Sequence, residues 1–494
     1  MKRIAIIGGG LGGLSTAITL ANAGFEVDVF EKNAHIGGKL MPVQLQTYSF
    51  DFGPNTITMP HVFKQVIEQT GRSAADYFTL LPLKHHTTNR FADGSSFVFS
   101  KDSDFMVEQL EKVDPLGARN YSSFLKELSR LYELSERYFF PKTFRSWTDY
   151  LSPSLGMALT KVRPLESMDH FFRRYFSNEQ LLQALGRYAT YIGSSPYRAP
   201  ATFSMIAYLE LVQGVYTVKG GTVCIARAFH KVAKELGVRF HLQTPIDDVT
   251  IEQKRITALH SRGKHIWSGD EVVMNADLLK AYPELVDEAD RPSFTNQHVE
   301  KIEPSISAFV ILAGLSTRLK GLNHHTVYFS KDYHAEFEAL FERGEFADDP
   351  TIYLCNSSVT DKERSPDGDN LFILVNAPPL AKNGSAPYDV NAYKEHIYNR
   401  LEEKGVPIRK HIRVERVIPP AEIAETFGAF RGALYGLSSH RKQDAFLRPR
   451  NKSKDLHNLY FVGGSTHPGG GSPMVTLSGM NVAEVLISKW KGRS

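Results

Sequence analysis

Gly8, Gly10 and Gly13 stand in the spacing G-x-G-x-x-G, directly after the short apolar run 3–7 and before a stretch, 14–23, whose Leu14, Ile18 and Ala21 recur at helical spacing. Gly24 can close that helix, and a second apolar run, 25–30, leads to Glu31. The order strand, tight turn, helix, strand, acid is a βαβ unit built to hold a dinucleotide. The first glycine permits the turn, the second lets backbone approach a pyrophosphate, and the third lets helix and strand pack closely. The helix amides then face the phosphates, and Glu31 stands where a carboxylate accepts hydrogen bonds from an adenosine ribose. Lys2-Arg3, the apolar stretch and Ala21-Asn22-Ala23 also resemble a cleavable leader, but five glycines make that stretch a poor apolar core, and the nucleotide motif runs on beyond the cut.

More glycine and charge follow at once. Lys32 comes directly after Glu31, and Gly37-Gly38-Lys39 lets a loop pass close to a second phosphate or a ribityl chain, with Lys39 as a positive charge. Phe50-Asp51-Phe52-Gly53-Pro54 adds a fixed turn against a ligand or the sheet. A dinucleotide wrapped by several segments points to FAD rather than NAD. No Ser/His/Asp, Cys/His or paired-carboxylate constellation stands out, which agrees with a cofactor that carries the chemistry. The two cysteines, Cys224 and Cys355, lie far apart, without disulfide or metal-ligand spacing, and suit a reducing cytoplasm.

The elements that must position these residues are ordinary globular material. The chain has 494 residues, room for about three domains, with 42% hydrophobic and 23% charged residues. The net charge of +4 is too small to imply nucleic acid as a partner. Helices are expected over 60–71 and 106–140, a hairpin around Asp93-Gly94, a helix from the Gly220-Gly221 turn to Leu236, and strands over 238–242, 246–251, 272–277, 305–315, 351–354 and 371–375. A further helix is expected over 392–404, then a buried strand 459–462 and a last helix 474–489. No run is long and apolar enough for a transmembrane helix. Residues 137–174 hold seven Lys or Arg (Arg137, Lys142, Arg145, Lys161, Arg163, Arg173, Arg174) against three acids, interleaved with Phe140, Phe144, Trp147, Tyr150, Leu151, Phe171, Phe172 and other apolar residues. That pattern fits a solvated basic rim on a helical cap, or a monotopic contact with an anionic membrane surface. Tyr188, Tyr191, Phe203, Met205 and Tyr208 belong to an aromatic stretch that forms core and could line an apolar tunnel.

The amino-terminal residues from Gly8 to Gly13, Glu31, Gly37-Gly38-Lys39 and 50–54, together with 458–473 near the other end (Asn-Leu-Tyr-Phe-Val-Gly-Gly-Ser-Thr-His-Pro-Gly-Gly-Gly-Ser-Pro), resemble the carotenoid (phytoene-type) desaturases among the amine-oxidase-like flavoproteins. The resemblance implies an α/β fold: a Rossmann-like FAD-binding domain formed by 1–90 with 215–290 and 425–494, a helical cap and substrate-entry region over 91–214, and a mixed-sheet substrate domain over 291–424. It places Val249 at the adenine through its backbone. It sets Gly463 and Gly464 beside the phosphate or ribityl group, and Gly470, Gly471, Pro473, Met474 and Val475 beside the isoalloxazine, where a helix amino end stabilises negative charge. His467 is the ionisable residue of that segment, expected to position it more than to transfer a proton.

Gly432-Ala433-Leu434-Tyr435-Gly436-Leu437, Leu447-Arg448-Pro449 and Thr466-His467-Pro468 resemble the bacterial thirty-carbon desaturases. Thr58-Met59-Pro60 and Pro473-Met474-Val475-Thr476-Leu477-Ser478-Gly479 resemble the related oxygenases that oxidise a terminal methyl of diapocarotenoids. The leading expectation is desaturation of a diapophytoene-type polyene, with terminal oxygenation as the alternative, dioxygen or a quinone as electron acceptor, and a cytoplasmic, peripherally membrane-associated protein. Relatives of this fold also include flavin-free escort proteins for prenylated partners, but the glycine framework at both flavin-facing ends is intact here.

Overall fold

The computed structural model describes residues 2–144, 149, 153–384, 388–440 and 445–492. Five strands form a parallel sheet in the order Leu459–Phe461, Glu271–Met274, Arg3–Ile7, Glu26–Phe30, Arg239–His241. Their apolar runs suit strands covered on both faces. On one face, helices Leu11–Asn22, Val223–Glu235 and Ser472–Lys491 pack through Leu14, Ile18, Val232, Val482 and Leu486. On the other, a small antiparallel sheet and helix Leu278–Leu285 bury Phe30, Leu259, Trp267 and Tyr282. The first helix begins earlier than its apolar spacing suggests, at Leu11, so Gly12 and Gly13 lie inside it. Ser15 Oγ donates to the Thr476 carbonyl at 2.9 Å and Thr16 Oγ1 to the Gly479 carbonyl at 3.2 Å, across the first and last helices. They cross so closely at Gly479 that a Cβ there would lie 2.1 Å from the Gly12 carbonyl oxygen.

The second sheet is mixed, as expected, and has seven strands in the order Ile412–Ile418, Ser307–Leu315, Asn370–Ala377, Ile352–Asn356, His325–Tyr328, His85–Arg90, Ser96–Ser100. Only His325–Tyr328 and His85–Arg90 run parallel. The Asp93-Gly94 hairpin therefore extends this sheet, and a boundary at 90/91 runs through it. Helix Val390–Glu403 covers one face, and the strand pair Met41–Leu45 and Tyr48–Phe52 covers the other with Tyr48, Phe50 and Phe52.

The cap is helical around Phe124, Phe171, Phe172 and Phe176. The helix expected over 106–140 is two, Ser103–Val113 and Pro115–Tyr138, because Asp114 breaks the run and caps the second through the Gly117 amide at 3.0 Å, with Pro115 in its first turn. Burial removes four of the aromatics from any surface: Phe140, Phe144, Phe171 and Phe172 are core residues. Three of the seven cations are engaged in ion pairs as well. Arg163 pairs with Glu127 and Glu166, Arg174 with Glu166, and Arg173 with Asp169 and Glu179. Arg145, Trp147, Tyr150 and Leu151 lie outside the described residues. Among the described residues no helix is long and apolar enough to cross a membrane.

Candidate functional site

The glycine loop lies at the carboxyl ends of the parallel strands, the edge where open α/β sheets bind ligands. Gly8 holds φ +102°, and its amide donates to the Phe30 carbonyl at 2.8 Å. Glu31 is buried; its carboxylate accepts the amides of Gly9 and Asn33, each at 2.8 Å. This fixes the acid beside the loop at the end of the second strand. Gly37 and Gly38 fold onto the same loop, the Gly37 amide donating to the Gly9 carbonyl at 2.9 Å. A Cβ on Gly10 would meet Asn275 Nδ2 at 3.1 Å and Gly38 Cα at 3.8 Å, and nothing nearer. Of the three motif glycines Gly10 is thus the least obstructed, since a Cβ on Gly8 or Gly13 would come within 2.5 Å or 2.2 Å of a carbonyl oxygen. A residue not legible as motif supports the loop: Asn275, just past the strand Glu271–Met274, donates through Nδ2 to the Gly8 carbonyl at 3.0 Å.

The two lysines take other roles. Lys32 Nζ donates to the Glu425 carbonyl at 2.9 Å, and Lys39 Nζ to the carbonyls of Ala433 and Leu434. Burial lowers both ammonium pKa values from their ordinary range. Each ties the dinucleotide region to a returning segment of chain instead of offering a free charge. Val249 lies in the antiparallel strand Asp248–Glu252 opposite Leu259, its amide donating to Asp248 Oδ1. The residues touching the Glu31 segment from that side are Gln243 and Thr244, whose amides donate to the carbonyls of Asn33 and Glu31.

The carboxy-terminal segment is pinned from behind. Arg448 is buried; its Nη1 donates to the Gly464 carbonyl at 2.8 Å and its Nη2 to the Leu437 carbonyl at 3.2 Å. A Cβ on Gly469 would lie 3.3 Å from Arg448 Nε. Gly463 stands over Asn275 Oδ1, which a Cβ there would approach to 3.3 Å. At Gly470 a Cβ would strike Tyr435 at 2.8 Å, so this glycine exists for Tyr435 behind the loop and not for open space over a ring. Gly471, at φ +104° with nothing within 4 Å of its would-be Cβ, is the position with room in front of it. The last helix starts there with no side-chain cap, Pro473 in its first turn, while Val475 O packs 3.0 Å from the would-be Cβ of Gly12. Its first-turn amides are available to a negatively charged ring edge.

Gly53, Pro54, Gly469, Gly470, Gly471, Pro473, Met474 and His467 share the wall of one cavity of ≈ 280 Å³. Its remaining wall is rich in apolar residues, among them Met59, Phe139, Phe140, Phe203, Leu209 and Phe446, and also carries polar ones, among them Arg187, Tyr191 and Tyr353. His467 is buried edge-on to Phe144, and Nε2 donates to the Phe139 carbonyl at 2.8 Å. Burial pushes its pKa down to about 4, so it is neutral at physiological pH. A group whose folded pKa lies below the unfolded value near 6.5 contributes stability above that value and loses it as pH falls toward 4. His467→Gln is therefore expected to flatten the fall in thermal stability between pH 6.5 and 4 and to leave the pH profile of turnover above pH 6.5 unchanged. A new titration in that profile would give His467 a proton-transfer role.

His324, His325 and Cys355 also come together, with ligand-capable atoms within 4.8 Å of one another and all three residues buried. Their Nδ1 atoms are engaged, His324 with Thr360 Oγ1 at 2.7 Å and His325 with Tyr353 Oη at 2.8 Å. Burial pushes the Cys355 thiol up to about 12 and the His324 imidazole down to about 3, a neutral set without a thiolate.

The residues at 11–487 match the family model described as flavin containing amine oxidoreductase. The 4,4'-diapolycopene oxygenase of Methylomonas sp is 33% identical over 491 residues, 99% of this chain and 98% of the relative. A 4,4'-diaponeurosporene oxygenase of Staphylococcus aureus is 32% identical over 498 residues, with 99% and 98% covered. Solved structures with this fold include the cyclohexylamine oxidase of Brevibacterium oxydans (TM-score 0.63, 14% identity, 99% of both chains) and an oxidoreductase of Methanosarcina mazei (TM-score 0.62, 16% identity, 98% of this chain and 100% of that one).

Proposed function

Because the chain belongs to the flavin-containing amine oxidoreductases and is an FAD-dependent oxidoreductase, we propose that it oxygenates a terminal methyl group of an acyclic thirty-carbon polyene. This takes the oxygenase alternative over the desaturase expectation and sets the escort role aside. The observation that carries the reading is the cavity itself, where residues 53–54 and 469–474 share a wall with the apolar Phe139, Phe203, Leu209 and Phe446. Such a wall suits a hydrocarbon end and, among the described residues, offers an amine no carboxylate. The names of the similar oxygenases and the match at 473–479 support the choice of reaction.

FAD, when bound, supplies the electron transfer that no side chain here provides. Gly8, Gly10, Gly13 and Glu31 would hold its adenosine diphosphate half, and Gly53, Pro54, Gly463, Gly464, Gly471 and the amino end of the last helix its ring half. Tyr435 and Arg448 hold the 463–471 loop in shape, His467 anchors it to the cap, and the apolar residues exclude water. Dioxygen is the proposed co-substrate. The test is incubation with thirty-carbon and, separately, forty-carbon acyclic polyenes, read by product mass. Gain of oxygen on the shorter one is expected; loss of hydrogen alone would make the enzyme a desaturase.

A lipid-dwelling substrate also implies contact with a membrane surface. Met157 and Leu165, on and just after helix Pro153–Lys161, are 59% and 78% exposed, and support that placement. Leu165→Glu with Met157→Glu is expected to lower flotation with anionic liposomes several-fold. Flotation equal to that of the unaltered protein would remove this surface from contention.

A further inference from the structure

Among the polar side chains of the cavity wall, which a hydrocarbon does not need, one is a buried arginine. Arg187 opens the short 3₁₀ turn Arg187–Ile192 and is only 7% exposed, yet it lines the cavity with Tyr191 and Tyr353. Its Nη2 donates to Tyr191 Oη at 3.2 Å, and Tyr191 Oη donates to Glu210 Oε1 at 2.7 Å. Glu210 is fully buried, in a π-helical turn, Leu209–Gln213. Such turns recur at functional sites because they re-aim a side chain at the cost of regular hydrogen bonding. His86 Nδ1 lies 3.6 Å from Glu210 Oε2. From the facing sheet, Tyr353 Oη meets His325 Nδ1.

This cluster is incomplete. Arg187 Nε, His86 Nε2 and His325 Nε2 are buried without a hydrogen-bond partner among the described residues. Buried polar atoms are ordinarily satisfied, and an unpartnered one on an arginine that lines a cavity calls for a polar ligand atom or bound water. Arginine offers five donors and no acceptor, so what completes it carries an oxygen. Glu210 faces the same network, which disfavours an anion and favours a neutral oxygen. Burial, with Arg187 close by, pushes the His86 imidazole down to about 3, so no second cation is present.

We propose that Arg187, with Tyr191 and Tyr353 at its sides, is a binding site for the oxygen of an already oxidised polyene end, an alcohol or aldehyde. The inference rests on the proposed oxygenation: the first oxidation of a methyl yields an alcohol, and this site would then recognise what the bare hydrocarbon lacks. Tyr191 Oη, whose proton goes to Glu210 Oε1, can accept from a substrate hydroxyl, while Tyr353 Oη can donate or accept according to the tautomer of His325.

The experiment titrates the flavin-loaded protein with an acyclic thirty-carbon polyene hydrocarbon and with the same polyene bearing one terminal aldehyde, following the flavin absorption. The aldehyde is expected to bind about tenfold more tightly, the worth of one hydrogen bond from a charged donor. In Arg187→Met, and in the milder Tyr353→Phe, which removes a single hydroxyl, the ratio of the two affinities is expected to fall toward one. Equal affinities in the unaltered protein, or a ratio that survives both substitutions, would overturn the site while leaving the functional reading standing. If neither polyene binds, the functional reading falls and this site with it.

Discussion

Gly10→Val is expected to purify folded and colourless, whereas Gly13→Val is expected not to fold. The two glycines belong to one motif but meet different surroundings. A Cβ on Gly13 would lie 2.2 Å from the Gly8 carbonyl oxygen and 3.2 Å from Ile6 Cγ2, so the first helix would have to leave the sheet. Ordinary overpacking costs about 1–3 kcal/mol; overlap with backbone exceeds that and consumes much of a total stability of about 5–15 kcal/mol. Gly10 has φ −74° and ψ 177°, extended backbone open to any residue, and its would-be Cβ approaches only Asn275 Nδ2 and Gly38 Cα. A valine there puts side-chain bulk where the proposed pyrophosphate would approach the loop backbone. Thermal unfolding and flavin absorbance per mole of protein separate the two outcomes. A full complement of flavin in Gly10→Val would show that the loop does not cradle the dinucleotide.

The contrast indicates what a sequence can and cannot display. The βαβ unit is contiguous, so its glycines, strands and acid could all be read in place, and the mixed second sheet followed from separated apolar runs. The polar network at Arg187 could not, because its members come from residues 86, 187, 191 and 210, joined only by packing. The cations at 137–174 looked unspent because two of their partners, Glu127 and Glu179, lie outside that window. The aromatics there alternate with charge in sequence, but Phe171 and Phe172 turn inward around Phe124, and composition alone does not give direction. Adjacent glycines were equally opaque: Gly470 backs onto Tyr435 and Gly471 faces open space, a difference set by the turn. Lys39 was placed correctly in the chain but not in its role, since the carbonyls it reaches lie almost four hundred residues on, at 433 and 434.

The largest loss of stability from a polar substitution is expected at Asp51 and Arg364. Arg364 Nη1 donates to Asp51 Oδ2 at 2.6 Å, and the side chains are 3% and 5% exposed for Asp51 and Arg364 respectively. The same carboxylate oxygen accepts the Thr222 amide at 2.9 Å, and Arg364 Nη2 donates to the Ser49 carbonyl at 3.2 Å. One ion pair thus joins the strand Tyr48–Phe52, which leads into Gly53-Pro54, to the turn before helix Val223–Glu235 and to the connection between strands of the mixed sheet. Gly221 is required for the approach, since a Cβ there would lie 2.1 Å from Arg364 Nη1. Removing either partner strands a buried charge, and Asp51→Leu or Arg364→Met is expected to cost about 3–5 kcal/mol. Because Gly53 and Pro54 follow directly from this anchor and line the cavity, flavin occupancy should fall before the fold does. The double variant is expected to be markedly more stable than the sum of the two losses, as no charge is then left unpaired. Denaturant unfolding of the three variants, with flavin content measured alongside, decides the matter. Single variants within about 1 kcal/mol of the unaltered protein, with flavin retained, would show that the pair does not hold the three segments together.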